Sequence, residues 1–396
     1  MGDLPDPDRR LAHELAAGVL RHSQTLDGLI GGHVTRGIGS VGPELLDILR
    51  IATYQLYLLE RIPAHAAVTT GVSLARERIG DHVAGFANAV LRKLADARAT
   101  TPDEPLHLFE ASHPNWLVDR WIARFGEADT RVLLEWNNGH PPLVVQPARS
   151  STGDLERQFA EAGIRCFEAP FGAGLVVETS RPELLPGFAE GAFFVQDPAQ
   201  ALVVRFAGFP AGAAVYDACA APGGKALALG RRAKVVVAAD ASRRRVDRLI
   251  ENLHRAGSGR EIVVVANAAH PPVRPIEACF LDAPCLGTGT FARHPDARLR
   301  VLPAALARLA TEQAILLDAA AKVVARGGVL CYATCSLEPE ENEQQVTAFL
   351  SRHRDFRREP PAGFPAGLVS KAGDLATLPQ RDGIDGAFAA RLVRAK

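Results

Sequence analysis

Two of the six cysteines stand where a thiol could react with a bound ligand. Cys285 comes shortly after the predicted strand 278–281, and Cys335 shortly after the predicted strand 328–332, each among turn residues. Ligands bind at the carboxyl ends of strands in an open α/β sheet, and a thiolate there can act as a nucleophile. By position alone, both thiols are candidates. Three others lie in or beside apolar runs and are interpreted as small core residues: Cys166, Cys279 and Cys331.

The stretch from Asp217 to Lys225 is typical of a loop that binds a nucleotide cofactor. It joins the apolar run 213–216 to a helical pattern that begins at Ala226, which predicts a strand, a tight turn and a helix. Glycines at the turn let the backbone approach a ligand closely, and the following helix presents free N–H groups. The alternative is a turn that only connects strand and helix. The candidate contacts are Cys219, Ala220, Ala221, Pro222, Gly223, Gly224 and Lys225.

The same loop argues against a cofactor with a diphosphate. It lacks the G-x-G-x-x-G spacing of dinucleotide-binding proteins. In the P-loop pattern, Cys219 would replace the first glycine, and Ala226 would replace the hydroxyl that holds magnesium. A looser glycine turn suits a cofactor with an adenosine and no phosphates, of which S-adenosylmethionine is the commonest. Lys225 could approach the carboxylate of that cofactor or simply cap the loop.

Two acidic residues stand at strand ends near this loop. Asp240 ends the predicted strand 234–239, where a carboxylate can accept hydrogen bonds from ribose hydroxyls, although it could also cap the following helix. Asp282 ends the predicted strand 278–281, three residues before Cys285. We expect Asp240 to bind the cofactor and Asp282 to face both cofactor and substrate, with a cap as the alternative role of Asp282.

The elements that position these residues alternate between strand and helix from Ala213 onward. This alternation predicts an α/β domain with a doubly wound, mostly parallel, Rossmann-like sheet, with a candidate closing strand at 388–393. Apolar residues at helical spacing predict an all-α bundle over roughly 9–97, and strands with a helix predict a small α+β module between 143 and 178. A polar linker with two prolines occupies 99–105.

Short strings in a fixed order give the chain a resemblance to a known family. The loop from Asp217 to Lys225 is followed by Asp-Ala-Pro-Cys at 282–285 and by Thr-Cys-Ser at 334–336. In this order the strings resemble those of the RNA (cytosine-5)-methyltransferases of the Sun or RsmB type, which modify bacterial small-subunit ribosomal RNA. The resemblance runs nearly end to end. Further matching strings are Arg61 to Val68, Ser112 to Val118, Val195 to Asp197 and Leu378 to Gly383.

The resemblance implies three domains. An all-α NusB-like domain with linker helices would occupy 1–138, a small α+β module that positions RNA would occupy 139–209, and an S-adenosylmethionine-dependent methyltransferase domain would occupy 210–396. RNA contact by the first domain rests on this analogy, because eleven basic and eleven acidic residues balance over 1–100. The strand at 144–148 departs from a Thr-x-Arg-x-Asn pattern, so we expect an RNA-contacting arginine to be missing.

The resemblance also assigns roles to side chains. Carbon 5 of cytosine is too weak a nucleophile to attack a methyl sulfonium, but a thiolate that adds to carbon 6 makes carbon 5 enamine-like. Cys335 would be this nucleophile, Cys285 would assist product release, and Asp282 would hydrogen-bond the cytosine. Asn267 stands where the family usually carries an aspartate facing the adenine, so we expect cofactor binding to be retained with some loss of affinity. The target base must be flipped out or lie in an open loop.

Composition excludes several other classes of protein. No apolar run in the 396 residues approaches a membrane span, and the acidic N-terminus lacks the basic and apolar regions of a signal peptide. The absence of a C-x-x-C pair argues against a disulfide framework and a structural zinc site. We therefore expect a cytoplasmic monomer with no metal and no membrane partner.

Formal net charge is zero, but basic residues cluster locally. Nine Lys or Arg stand against three Asp or Glu between 231 and 260. Such an excess can hold phosphates, and its alternative is a solvated helix face.

Three functions remain open from the sequence. The first is cytosine-5 methylation of small-subunit ribosomal RNA, either naked or within a pre-ribosomal particle. The second is the same reaction on transfer RNA, because the catalytic motifs are shared, although the NusB-like domain favours ribosomal RNA. The third is a non-catalytic, RNA-binding ribosome assembly factor with a vestigial pocket. The presence of both cysteines and an intact glycine loop argues against the third.

Overall fold

The computed structural model describes residues 5–100, 112–179 and 181–396. The first two residues of the predicted linker 99–105 belong to a helix, and the other five lie outside the described residues. Two compact units divide the chain: Met1–Gly139 with Phe291–Arg300, and His140–Thr290 with Val301–Lys396. The predicted division into three domains is finer than this grouping and stays a prediction.

The first unit is built from helices, as the helical spacing of its apolar residues predicts. Pro43 occupies the first turn of the third helix, where its fixed φ and missing N–H are tolerated. The centre of the bundle is fully buried around Leu49, Leu91 and Leu94. The helices are α1 (Asp6–Arg21), α2 (Ser23–Gly31), α3 (Pro43–Leu58), α4 (Ala64–Arg78), α5 (Asp81–Thr100), α6 (Asn115–Phe125) and α7 (Glu127–Asn138).

The second unit begins with a small antiparallel sheet. Its strands are β1 (Leu143–Pro147), β2 (Cys166–Glu168), β3 (Leu175–Val177) and β4 (Phe193–Val195), with helix α8 (Thr152–Glu161) between β1 and β2. The strand order is β2-β3-β1-β4, and every neighbouring pair is antiparallel. Phe159 of α8 and Phe193 of β4 pack edge to face, with ring centroids 5.8 Å apart, in the core between helix and sheet.

The larger sheet of the second unit has eight strands. They are β5 (Ala214–Asp217), β6 (Val235–Asp240), β7 (Glu261–Val265), β8 (Ile276–Asp282), β9 (Val324–Thr334), β10 (Phe356–Arg358), β11 (Leu375–Thr377) and β12 (Ala387–Arg394). The order is β10-β12-β9-β8-β5-β6-β7, with β11 paired to β12. Five neighbouring strands, β7, β6, β5, β8 and β9, are parallel to one another. The predicted closing strand β12 runs antiparallel to β9. The predicted doubly wound, mostly parallel sheet is thereby confirmed.

Helices cover both faces of this sheet. The helices are α9 (Pro198–Ala207), α10 (Gly224–Gly230), α11 (Arg243–Ala256), α12 (Pro303–Val323), α13 (Glu343–Arg352) and the one-turn α14 (Pro379–Asp382). Buried residues of α9, α10 and α11 form one core cluster with the strands, and those of α12 and α13 form the other. The chain moves from β5 to β6 in one direction and to β8 in the other, so the strand order switches direction between β5 and β8. Ligands bind at such a switch point, at the carboxyl ends of the strands. Among the described residues, no helix is both long enough and apolar enough to span a bilayer.

Candidate active site

The two candidate cysteines meet at the carboxyl ends of adjacent parallel strands. β8 pairs with β9 so that Asp282 lies beside Ala333. Cys285 follows β8 by three residues and Cys335 follows β9 directly, which brings their sulfur atoms to 3.4 Å. Both side chains are partly exposed, unlike the buried Cys279 and Cys331. The fold therefore brings both candidate thiols to the same edge of the sheet.

The Cys285 thiol holds its proton more tightly than an ordinary cysteine does, because its pKa is raised. The hydrogen bond to Cys335 raises the pKa of the Cys285 thiol well above its ordinary value, and burial raises that pKa further. Cys285 therefore keeps its proton at neutral pH and can donate it towards the sulfur of Cys335.

A buried carboxylate holds the loop that carries Cys285. Glu341 is fully buried and accepts hydrogen bonds from the Leu286 N–H at 3.0 Å and from Gln313 Nε2 at 2.9 Å. Gln313 also donates to the carbonyl oxygen of Pro284 at 2.8 Å. Burial raises the pKa of Glu341. The sequence pattern did not single out Glu341, because its partners lie 28 and 55 residues away.

Tight backbone packing holds the turn that carries Cys335. The Gly289 N–H donates to the Cys335 carbonyl at 2.9 Å, and the Gly386 N–H donates to the Gly289 carbonyl at 2.8 Å. A Cβ on Gly289 would lie 2.5 Å from the Gly386 carbonyl oxygen, so only glycine fits. On the other side, Asn342 Nδ2 donates to the Ser336 carbonyl at 2.8 Å. The nucleophile candidate thus sits on a turn that has little freedom to move.

Lys225 and Asp282 form an ion pair beside the thiols. The Lys225 Nζ lies 2.7 Å from Asp282 Oδ2, and both side chains are largely buried. Burial would lower the pKa of the Lys225 ammonium, but the charge and hydrogen bond of Asp282 outweigh it and raise that pKa. The sequence left open whether Lys225 faces a cofactor carboxylate or caps the loop. The structure instead joins it to the candidate substrate-binding carboxylate.

Asp217 is a third member of this charged group, and sequence reasoning gave it no role. It ends β5 and is fully buried. Burial raises its pKa to about 8, and the negative charge of Asp282 contributes to the shift. The Asp217 carboxyl is therefore largely protonated at neutral pH. The only signal in the sequence was an acid at the end of an apolar strand.

The glycine loop has the strand, turn and helix that were predicted. The N–H groups of Ala218 and Ala220 bond to the carbonyls of Phe280 and Ala239, which fixes the loop between β8 and β6. Gly223 has φ 116°, a conformation that L side chains rarely adopt, and a Cβ there would meet Leu249 Cδ1 at 3.0 Å. The loop residues from Cys219 to Lys225 all lie at the switch point of the sheet.

Asp240 ends β6, and only one of its two carboxyl oxygens accepts hydrogen bonds from the described residues. Its Oδ1 accepts from the Ser242 N–H at 2.8 Å and from Arg245 at 2.9 Å. Its Oδ2 is buried without a hydrogen-bond partner in the part of the chain that the structure describes. The N-cap of α11 is Ser242, whose hydroxyl accepts from the Arg245 N–H, so capping is not the role of Asp240. A buried acceptor without a partner fits a ligand hydroxyl at this position.

Asn267 follows β7 and is exposed. Its Oδ1 accepts from the Ala269 N–H at 2.9 Å, so the carbonyl that was expected to meet a cofactor amine already stabilises its own turn. Its Nδ2 donor remains for a ligand. Within 5–100, 112–179 and 181–396, no group of three or more His, Cys, Asp or Glu could hold a metal ion.

The doubly wound sheet, the glycine loop at its switch point and Asp240 at the end of β6 are typical of a Rossmann-like domain that binds a nucleotide cofactor. The family model described as 16S rRNA methyltransferase RsmB/F matches residues 210–393. The NusB family model matches 1–96, and the model of the Methyltr_RsmF/B-like, ferredoxin-like domain matches 113–182. The chain belongs to the 16S rRNA methyltransferase RsmB/F family.

Relatives match along almost the whole chain. The probable ribosomal RNA small subunit methyltransferase B of Synechocystis sp. is 35% identical, covering 99% of this chain and 92% of the relative. The ribosomal RNA small subunit methyltransferase B of Pseudomonas syringae pv. tomato is 34% identical, covering 98% and 89%.

Solved structures share the fold. The crystal structure of PH0851 has a TM-score of 0.83 at 23% identity, covering 100% of this chain and 91% of that chain. NSun6 from Pyrococcus horikoshii has a TM-score of 0.63 at 20% identity, covering 72% and 98%.

Proposed function

We propose that the protein transfers a methyl group from S-adenosylmethionine to carbon 5 of a cytosine in small-subunit ribosomal RNA, through a covalent bond between Cys335 and the cytosine. The observation that carries the proposal is the distance of 3.4 Å between the sulfur atoms of Cys285 and Cys335. The Lys225–Asp282 ion pair lies at the same edge of the sheet, where β5 and β8 end. The proposed substrate is that of the relatives, which are named as small-subunit ribosomal RNA methyltransferases.

The residues at the switch point fit S-adenosylmethionine. Gly223 gives the backbone a close approach, and the unpartnered Oδ2 of Asp240 would accept from a ribose hydroxyl. The Nδ2 of Asn267 would donate to an adenine ring nitrogen. The structure of NSun6 contains SFG, an analogue of S-adenosylmethionine. When bound, this cofactor supplies an electrophilic methyl group.

The thiols would make and break the covalent bond to the base. The Cys335 thiolate adds its electron pair to carbon 6 of cytosine, forming an S–C bond and making carbon 5 nucleophilic. After carbon 5 has been methylated, a water molecule takes up its proton and the electrons of that C–H bond re-form the double bond between carbons 5 and 6. The S–C bond breaks in the same step, which returns its electron pair to Cys335. Cys285 lies within hydrogen-bond distance of that sulfur and keeps its own proton, so it is placed to assist release.

The Lys225–Asp282 pair would recognise the polar edge of the base. The Asp282 carboxylate accepts a hydrogen bond from the exocyclic amine, and the Lys225 ammonium donates to a ring acceptor. Uracil presents a carbonyl in place of that amine, so the carboxylate would repel it. Asp217, protonated and buried behind this pair, adds no second negative charge at neutral pH.

The proposal is tested with unmodified small-subunit ribosomal RNA and labelled S-adenosylmethionine, with the methylated cytosines mapped. We expect label on cytosine with the wild type and with the matched control Cys166→Ala, which changes a thiol of the small antiparallel sheet. We expect no label with Cys335→Ala, and a stable protein–RNA adduct with Cys285→Ala. Label on transfer RNA alone would overturn the substrate, and no transfer to either RNA would overturn the enzymatic function.

A further inference from the structure

A cavity of about 680 Å³ lies within the second unit, away from the cysteines. One wall comes from the small antiparallel sheet, including Gln146 and Phe194, and the other from α9, α10 and the turn after α10. The volume lies within the range of about 300–1,000 Å³ that small-molecule sites occupy. A space of this size is large enough for a nucleotide.

The cavity lies at the opposite end of β5 from the active edge. Pro210, which precedes β5, and Val215, the second residue of β5, line the cavity, whereas Asp217 ends that strand at the switch point. A strand rises about 3.3 Å per residue, so the three steps from Ala214 to Asp217 separate the two ends of β5 by roughly 10 Å. Gln196 lies between the two regions, because it lines the cavity and its Nε2 would be 3.1 Å from a Cβ on Gly224. An occupant of the cavity would therefore be neither the target base nor the methyl donor.

Three arginines line the cavity on the helix side: Arg205, Arg231 and Arg232. Arg205 Nη1 donates to the Phe171 carbonyl at 2.9 Å, and Arg231 Nη1 donates to the Pro147 carbonyl at 2.7 Å, so each guanidinium is oriented and keeps other donors. No carboxylate pairs with these arginines among the described residues. Oriented arginines with spare donors suit a phosphate.

The rest of the lining suits the remainder of a nucleotide. Phe194 and Phe209 give apolar surface for a base, and Glu156 and Glu168 can accept from base amines or ribose hydroxyls. Gln196 also lines the cavity, is only 8% exposed, and its Oε1 has no partner within the described residues. A buried acceptor without a partner points to a ligand that donates a hydrogen bond.

We propose that this cavity binds a nucleotide of the RNA substrate other than the target cytosine. The proposal rests on the proposed function, because it takes RNA as the substrate. The phosphate contacts Arg231 and Arg232, and the base enters between α10 and the small antiparallel sheet. The site would place the RNA on the protein at a fixed distance from the reacting cytosine.

Two kinds of variant test the site. Arg231→Gln with Arg232→Gln removes the charge, and Ala228→Phe fills the cavity from α10 without changing the charge. The matched control is Arg157→Gln, which removes an exposed charge on α8 outside the cavity. Binding of single-stranded ribosomal RNA fragments is measured at several salt concentrations, with S-adenosylmethionine binding and thermal unfolding measured on each protein to verify that it is folded.

We expect the double variant to bind RNA about tenfold more weakly and the slope of log K against log salt to fall by about 0.7, since one phosphate contacted on a single strand contributes about 0.7. We expect Ala228→Phe to weaken RNA binding as well, and Arg157→Gln to bind as the wild type does. RNA binding by the double variant and by Ala228→Phe equal to that of the control would overturn the proposal. Free adenosine or uridine monophosphate binding that is lost in Ala228→Phe, with RNA binding unchanged, would also overturn it, in favour of a free nucleotide.

Methyl transfer by the wild type is measured in parallel. Absent transfer means that the proposed function has failed. Normal transfer by the wild type, together with cavity variants that bind RNA normally, means that only the cavity assignment has failed.

Discussion

Two carboxyl groups lie near the Lys225 ammonium at the ends of the adjacent strands β5 and β8. They belong to Asp217 and Asp282. Burial raises the pKa of Asp217 to about 8, with a contribution from Asp282. An unfolded aspartate ionises near pH 4. Unfolding therefore releases a proton above that pH, and the stability that Asp217 contributes is full below about pH 4 and is lost as pH rises to about 8.

We predict that Asp217→Asn is stabilised relative to the wild type by an amount that grows with pH. The amide cannot ionise, so the difference rises between pH 5 and pH 8.5, by about 4 kcal/mol. Urea unfolding at pH 5, 7 and 8.5 measures it. A difference that stays the same at all three pH values would show that Asp217 is ionised in the folded protein.

We predict that a mild thiol oxidant joins Cys285 to Cys335. Their sulfurs lie 3.4 Å apart, so each thiol can lose one hydrogen to diamide, whose azo bond becomes a hydrazine, and a disulfide forms. The expected result is a mass loss of about 2 Da and a loss of methyl transfer that dithiothreitol reverses. Cys166→Ser is the control and should behave as the wild type. An unchanged mass in the wild type would contradict the short distance.

The positions of these residues could be predicted from the sequence, but their partners could not. An acid or cysteine after an apolar run marks a strand end, and this placed Asp240, Asp282 and both cysteines correctly at strand ends. Lys225 and Asp282 are 57 residues apart, and only the parallel pairing of β5 with β8 brings them together. The same holds for the burial of Asp217, since an exposed and a buried aspartate look alike in a sequence.

At the scale of elements, the connection after β9 supports the loop after β8. Glu341 belongs to the 3₁₀ turn Pro339–Glu341 and receives the N–H of Leu286, next to Cys285. Losing a buried acceptor leaves its donors without partners, which costs about 1–3 kcal/mol. The loss of these hydrogen bonds would destabilise the position of the loop that carries Cys285.

We therefore predict that Glu341→Ala lowers kcat for methyl transfer at least tenfold, with little change in the Kd for S-adenosylmethionine. Gly223, Asp240 and Asn267, which are proposed to hold the cofactor, lie at or after the ends of β5, β6 and β7, away from this loop. The matched control is Glu312→Ala, an exposed residue of α12 next to Gln313, which should keep the wild-type kcat. Equal effects of the two substitutions would contradict the role given to Glu341.

The alternation of strand and helix was predictable because it is local. The sequence predicted strands at 234–239 and 278–281, and β6 runs from Val235 to Asp240 and β8 from Ile276 to Asp282. Strand β4 and helix α9 were not predicted as elements, because β4 has three residues and its stability comes from pairing with β1. The antiparallel direction of β12 also depends on pairing across the sheet.

At the scale of the whole molecule, the segment Phe291–Arg300 groups with the first unit. Within that unit Arg298 is buried and donates to Asn138 Oδ1 at 2.7 Å, to the Arg21 carbonyl at 3.2 Å and to the Asn137 carbonyl. Sequence order placed this segment among residues 210–396. Its grouping depends on contacts between residues more than 150 positions apart, which no local pattern encodes.

We predict that Arg298→Met destabilises the protein by about 2–4 kcal/mol, because it removes the hydrogen bonds that the buried guanidinium donates to Asn138 Oδ1 and to the carbonyls of Arg21 and Asn137. Thermal unfolding measures the loss. Arg300→Met is the control, since Arg300 is exposed and its ion pair with Asp296 is on the surface. Equal melting temperatures for the two variants would show that the Arg298 contacts contribute little.

The central claim is that Cys335 forms the bond to the cytosine and Cys285 releases it. The most direct measurement is to incubate Cys285→Ala with small-subunit ribosomal RNA and S-adenosylmethionine, digest the denatured adduct with nuclease and trypsin, and identify the modified peptide by mass spectrometry. We predict a methylated cytidine nucleotide on the peptide that contains Cys335, and no adduct with the Cys285→Ala, Cys335→Ala double variant. Methyl transfer to cytosine by Cys335→Ala, or an adduct on Cys285 in that variant, would contradict the account.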